Sequence, residues 1–278
     1  IATKSVIKNQ DPHLATTSMI RQHTKRVVNN SDIMFSSLII VVVGLLAILP
    51  SGDGFNSGTA WCSNYAFAAL KQDGSVVAWG DARYGGSGVP SDLSNVQVIY
   101  SNYGAFAALK HDGSVTVWGD GNRGGSGVPS GLSNVQAIYT TYDAFAALKH
   151  DGSVVVWGLY MGNNGGSGVP PGLSNVKAIY STGAAFAALK QDGSVAAWGY
   201  GSYGGSGVPS DLSNVQAIYS AGSAFAALKQ DGSVAAWGDA RYGGSGVPSD
   251  LSNVKAIYST QYAFAALKQD GSVAAWGK

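Results

Sequence analysis

"AFAALKQDGSVAAWG" spans Ala224–Gly238 and returns letter for letter at Ala263–Gly277, with near-copies beginning at Ala66, Ala105, Ala144 and Ala185. Each copy sets two short apolar runs on either side of an Asp-Gly pair. That arrangement predicts a β-hairpin, because glycine accepts the positive φ that a tight turn requires. The copies keep time: Phe67, Phe106, Phe145, Phe186, Phe225 and Phe264 lie 39, 39, 41, 39 and 39 residues apart. A period of this length marks a repeat architecture.

One unit, Asn95–Ser133, reads as "NVQVIYS", a β-branched and aromatic run; then "AFAALK"; then the turn "HDGS"; then "VTVWG". "GGSGVPSGLS" carries the chain onward without a helical pattern, and its proline argues against a central strand there. The opening unit is degenerate but present, since "NSGTAWCSNYAFAAL" from Asn56 aligns with "NVQVIYSNYGAFAAL" from Asn95. Six units therefore fit between Asn56 and Gly277. Alanines and valines occupy both faces of the runs, so each sheet expects to be covered on both sides. Small sheets packed face to face around an axis meet that demand, and the prediction is an all-β, six-bladed β-propeller over residues 51–278. A β-solenoid is the alternative. Its end units would need polar caps, whereas the last unit here is as apolar as the inner ones; a propeller would hide its first and last blades against each other.

Composition agrees with an all-β reading. Among 278 residues 39 are glycine, only 12% are charged, and all 16 acids are aspartate, which favours turns over helix interiors. Residues 1–50 carry five Lys and Arg against two Asp, while the remainder has a net charge of −2, so the repeats lack the basic stripe that nucleic-acid binding needs. Cys62 is the only cysteine, which excludes an internal disulfide.

Before the repeats, "IMFSSLIIVVVGLLAIL" (Ile33–Leu49) contains no charge and ends at Pro50. As a helix it would cover roughly 25 Å. Residues 32–50 are read as a single transmembrane helix contacting the lipid bilayer, after a polar, basic tail over 1–31. A signal peptide and a buried core helix compete; 32 residues precede the span and no small-x-small cleavage pattern follows it. The basic flank would keep the N-terminus on the cytoplasmic, stromal or matrix side and set the repeats across the membrane. A thylakoid membrane is favoured over the mitochondrial inner membrane.

"ALKQDGSVAAWGDARYGGSGVPSDLSNVKAIYS" (Ala227–Ser259) resembles the repeats of the regulator of chromosome condensation family, with its G-x-V-x-x-W-G core, glycine-rich stretch, proline and A-L-x-x-D-G run. The resemblance covers residues 56–277. It implies a β-propeller serving as a nucleotide-exchange factor, a ubiquitin-ligase module or an interaction platform. These units are shorter than that family's blades, and no inserted loop resembles an exchange wedge.

No constellation for catalysis emerges. Asp73, Asp112, Asp151, Asp192, Asp231 and Asp270 read as turn residues rather than a cation ring. His111 and His150 stand one per unit without a second ligand. "GGSGVP" lacks the Lys-Ser or Lys-Thr and the following helix of a phosphate loop. Trp79 and its counterparts could stack on sugars, but tryptophans in apolar strands expect to be core anchors. Accordingly no catalytic residue, metal site or cofactor is predicted, and no small-molecule ligand is expected.

What varies among the units is the text after each Trp-Gly ("DARY", "DGNR", "LYMGNN", "YGSY") and before each Phe ("NYGA", "TYDA", "TGAA", "AGSA", "TQYA"). Scaffolds display their contacts on such loops. Candidate partner-binding residues are therefore Arg83, Arg123 and Arg241, together with Leu159, Tyr160, Met161, Asn163 and Asn164 in the two-residue insertion of the third unit. The function expected is a non-catalytic, membrane-anchored subunit whose partners are other subunits of a larger membrane complex, photosynthetic or respiratory. A lectin-like glycan-binding propeller and an exchange-factor-like signalling propeller are the alternatives.

Overall fold

The computed structural model describes residues 60–158 and 168–278. These fold into six three-stranded antiparallel meanders in chain order. Sheet 1 comprises Ala60–Cys62, Ala66–Leu70 and Val76–Gly80; sheet 2 comprises Val96–Ser101, Ala105–Lys110 and Val115–Gly119. Sheet 3 follows with Val135–Thr140, Phe145–Lys149 and Val154–Trp157, and sheet 4 with Val176–Ser181, Ala185–Lys190 and Val195–Gly199. Val215–Ser220, Ala224–Lys229 and Val234–Gly238 form sheet 5, and Val254–Ser259, Ala263–Lys268 and Val273–Gly277 form sheet 6. The arrangement is consistent with a six-bladed propeller. Strands pair within a unit rather than between successive units, so the described residues are not a solenoid.

The hairpin turns are set by their Asp-Gly-Ser text. In each of the six, the Asp Oδ1 accepts from the N–H of the serine two residues on at 2.9 Å, and from its hydroxyl at 2.6 Å. These bonds stabilise the ionised carboxyl and hold all six aspartates below their ordinary range, Asp151 at about 2. The aspartates thus serve their own turns.

Successive side chains of a strand point to opposite faces, and the middle strand exploits this. Ala105, Ala107 and Leu109 pack toward sheet 3, whereas Phe106 and Ala108 pack toward sheet 1. Every interface therefore sets a small face, Ala-Ala-Leu, against a large one, Phe-Trp-Ile. Within the large face Phe106 and Trp118 are direct cross-strand partners, stacked at 5.2 Å. The Trp118 indole N–H then reaches into the loop of the preceding unit and donates to the Gly85 carbonyl at 3.1 Å. Trp157, Trp237 and Trp276 repeat that bond to Gly124, Gly204 and Gly243. The loop glycine admits the ring: a Cβ on Gly85 would lie 2.6 Å from the Phe106 ring.

Units are also tied by main chain alone. The Asn64 N–H donates to the Tyr103 carbonyl at 3.2 Å, Tyr103 to Tyr142 at 3.1 Å and Tyr142 to Gly183 at 2.8 Å. Gly183 continues to Gly222 at 3.0 Å, and Gly222 to Gln261 at 2.9 Å.

Five apolar clusters join sheet 1 to 2, 2 to 3, 3 to 4, 4 to 5 and 5 to 6. The large face of sheet 1 and the small face of sheet 6 are open: Trp79 is 43% exposed where Trp118 is 3%, and Val273 is 66% exposed. The mutual shielding expected of the first and last blades is not found among the described residues.

The membrane placement is corrected. Among the described residues no helix is long and apolar enough to cross a membrane; the helical pieces are three-residue 3-10 turns such as Ala82–Tyr84. Ile33–Leu49, on which the single-pass, lipid-bilayer and thylakoid expectations rested, lies outside the described residues, as do the boundaries at 31 and 50.

Candidate functional site: a tyrosine and arginine rim

The two kinds of variable loop meet along one edge of the array. After Trp-Gly the chain makes a 3-10 turn. In sheet 1 it is Ala82–Tyr84, capped by Asp81, whose carboxylate accepts from the Arg83 N–H at 2.9 Å. The turn sets Tyr84 against Tyr65, from the loop before Phe67, with ring centroids 4.7 Å apart. Tyr65 also meets Tyr103, from the corresponding loop one unit on, edge to face at 6.4 Å. Hydrogen bonding to Tyr103 raises the Tyr65 phenol above its ordinary pKa.

Arg123 continues the row. Its guanidinium lies over the Tyr103 ring at 4.5 Å, pairs with Asp120 at 3.2 Å and forms a short ion pair with Asp143. Both members of that last pair are largely buried, so Arg123 is held within the structure rather than presented to solvent. Gly104 makes the room, since a Cβ there would lie 2.6 Å from the Arg123 Cδ and 3.0 Å from Tyr84. Asn102 braces the turn from below: its Nδ2 donates to the Arg123 carbonyl at 2.7 Å, and its Oδ1 accepts from the N–H groups of Gly104 and Ala105.

Farther along, Tyr242 and Tyr262 pack at 5.1 Å and Tyr200 and Tyr203 at 5.6 Å. Burial raises the Tyr142 phenol, with smaller contributions from Tyr203, Tyr242 and Tyr262 nearby. Where a loop carries glycine instead of tyrosine, the neighbouring ring fills the space: a Cβ on Gly183 would lie 2.5 Å from Tyr142. Tyr65, Tyr142 and Tyr262 are each about half exposed, at 53%, 49% and 46%.

Of the predicted contact residues, Arg83 and Arg241 stand exposed on this rim, each in a forked pair with the aspartate two residues before it, at 2.7 and 2.8 Å. Leu159, Tyr160, Met161, Asn163 and Asn164 lie outside the described residues. The tyrosines were not singled out in the sequence, although "NY", "TY" and "QY" before the Phe strands were there to be read. The tryptophans do not form a stacking surface: Trp118, Trp157, Trp198, Trp237 and Trp276 are 1–6% exposed and belong to the interfaces between sheets. His111 and His150 sit in hairpin turns, their N–H groups donating to the carbonyls of Asn95 and Asn134. Among the described residues no three His, Cys, Asp or Glu side chains gather as a metal site.

No family model and no curated protein matches this sequence. Solved structures do match in fold. The ectodomain of the receptor kinase CR4 from the moss Physcomitrella patens is 18% identical, with a TM-score of 0.52 over 78% of this chain and 60% of that one. Yeast RCC1 (Prp20), solved bound to Kap60, is 18% identical, with a TM-score of 0.50 over 78% of this chain and 69% of that one. The chain thus spans three-fifths of the moss ectodomain. The likeness is one of fold, and it agrees with the resemblance carried by the repeat text.

Proposed function

We propose that this chain is a non-catalytic protein-interaction module, docking a protein partner along the tyrosine and arginine rim. One observation carries the reading. Tyr65, Tyr142 and Tyr262 stand half-exposed in a row beside Arg83 and Arg241, on loops whose support beneath is main chain and buried apolar sheet. Tyrosine and arginine are the residues over-represented at the energetic centres of protein interfaces, because they offer large contact areas with polar ends. Rigid loops lose little freedom on binding. The propeller protein Prp20 has a protein, Kap60, bound to it in the similar structure. In the sequence, the insertion at Leu159–Asn164 follows Trp157-Gly158 at the same position in the unit as the turns that carry Arg83 and Arg241. Service as an accessory subunit of a larger protein assembly is the finer form of this reading.

The test is native co-purification with a tagged chain, wild type against the triple variant Tyr65→Ser, Tyr142→Ser, Tyr262→Ser. Proteins retained by the wild type should be lost from the variant while its melting temperature stays near that of the wild type. Retention of the same proteins by a folded triple variant would place the docking surface elsewhere.

A further inference from the structure

Sheets 3, 4 and 5 each set a tyrosine around an uncharged stretch of the rim. Gly183 and Gly222 stand at consecutive rungs of the main-chain ladder there, and neither has a side chain to cover it. Tyr142, from sheet 3, lies over the first: a Cβ on Gly183 would be 2.5, 2.9 and 3.1 Å from three atoms of its ring. Tyr242 stands beside the second, its ring 3.2 Å from where a Gly222 Cβ would be. In sheet 4, Thr182 anchors the turn of Tyr203 next to Gly183, its hydroxyl donating to the Tyr203 carbonyl at 2.8 Å. The three phenols are close enough to act on one another, since burial raises Tyr142 and Tyr203 and Tyr242 raise it further. Tyr142 and, beside Tyr203, Tyr200 are 49% and 44% exposed.

What this surface can offer is limited by what it has already spent. Tyr142 donates to the Gly183 carbonyl, Gly183 to Gly222 and Gly222 to Gln261, so both groups of both glycines are taken and no edge is left for an added strand. Residues 182–184, 200–203 and 221–223 include no charge. The adjacent ions are paired, Arg241 with Asp239 and Asp143 with Arg123, so a charged segment finds no waiting counter-ion. Ring faces and phenol hydroxyls remain. They suit a polyproline II segment, whose carbonyls are unpaired, whose prolines are compact apolar rings and whose extended form loses little freedom on binding. The spacing agrees. Packed sheets stand roughly 10 Å apart and three residues of polyproline II rise roughly 9 Å, so one tyrosine per sheet meets one proline per turn.

We infer, on the reading of the rim as a protein-docking surface, that the partner segment it takes is proline-rich and lies across sheets 3 to 5 on Tyr142, Tyr203 and Tyr242, with a proline at every third residue. Proline spacing then selects the partner, and charge does not.

The experiment titrates the 278-residue chain with three synthetic peptides of equal length, an oligoproline, a Pro-Ala-Ala repeat and a Gly-Ser repeat, and follows the tyrosine ring signals by NMR. Oligoproline and the Pro-Ala-Ala repeat should saturate below about 1 mM and the Gly-Ser repeat should not. Tyr203→Ser and Tyr242→Ser should each weaken oligoproline binding by about tenfold or more, as loss of an anchoring ring does. Gln230→Ser, exposed in the hairpin turn at the far end of sheet 5, should leave it unchanged. Circular dichroism checks each fold; Tyr203→Phe and Tyr242→Phe, which keep the ring and remove only the hydroxyl, should show a smaller loss and stand in if a serine variant unfolds. Oligoproline that does not saturate, a Gly-Ser repeat that binds equally, or folded tyrosine variants that bind as the wild type does would each overturn the inference. So would rings that respond to neutral oligosaccharides and not to oligoproline. Partners lost from the Tyr65, Tyr142 and Tyr262 triple variant, with no response to oligoproline, would keep the docking rim and remove its preference for proline.

Discussion

Gly124 and Gly127 lie three residues apart in one loop, and both require the left-handed region, at φ +90° and +76°. Their surroundings differ. A Cβ on Gly124 would lie 2.7 Å from the Phe145 ring and 3.1 Å from the Trp157 indole, whereas one on Gly127 would meet nothing within 4 Å. Alanine at either position costs about 1–2 kcal/mol for the backbone conformation. At Gly124 it must also displace a stacked pair, Phe145 and Trp157, at 5.3 Å, in which Phe145 is fully buried. Forcing a methyl into such packing adds roughly 1–3 kcal/mol. Gly124→Ala should therefore destabilise by about 2–5 kcal/mol and Gly127→Ala by about 1–2. Urea unfolding of the three proteins measures the difference directly, from midpoints at a shared slope. Equal losses at the two positions would refute the claim that the loop glycine exists to let the neighbouring unit's ring approach.

Further outcomes follow from the same geometry. Trp157→Phe removes the indole bond to the Gly124 carbonyl at 3.1 Å and should cost about 1 kcal/mol or more, while Trp79→Phe, at an exposed position, should be nearly neutral; thermal melts compare them. Arg123→Ala takes the guanidinium away from the buried Asp143 carboxylate and should cost about 3 kcal/mol, far more than Arg83→Ala, whose partner pair is exposed. The hairpin aspartates have folded pKa values below their unfolded ones, so their stabilisation is complete above the ordinary carboxylate range and is lost as pH falls, for Asp151 through about 2. Ser153→Ala should raise the Asp151 pKa, and a carboxyl titration followed by NMR reads the shift.

Much of this architecture could be read from the letters. Fixed spacing, the Asp-Gly turn and apolar runs on both faces are local signals, and the hairpins obey them because Asp, Gly and Ser complete their turn within three residues. The variable loops were legible as well, since what differs between otherwise equal units has no part in the shared packing. The tyrosine rim was less so. Tyr65 and Tyr84 are 19 residues apart, Tyr65 and Tyr103 are 38, and only the folded loops bring them together. The pairing of Arg123 with Asp143 was hidden for the same reason, each residue looking like loop decoration alone. The open ends could not be foreseen. Trp79 and Trp118 stand in nearly identical text, and burial depends on whether a neighbour is present rather than on the residue.

The chain of peptide groups running from Asn64 to Gln261 has a consequence for how such a protein can change. Because carbonyl and amide alone bind one unit to the next there, Asn, Tyr, Gly and Gln are all accommodated at successive steps. The recognition surface can be rewritten residue by residue while the spine beneath it keeps its register. Gain or loss of a whole module preserves that register too, and so does a change of loop length: Tyr142 and Gly183 are 41 residues apart rather than 39, and their rung still closes at 2.8 Å.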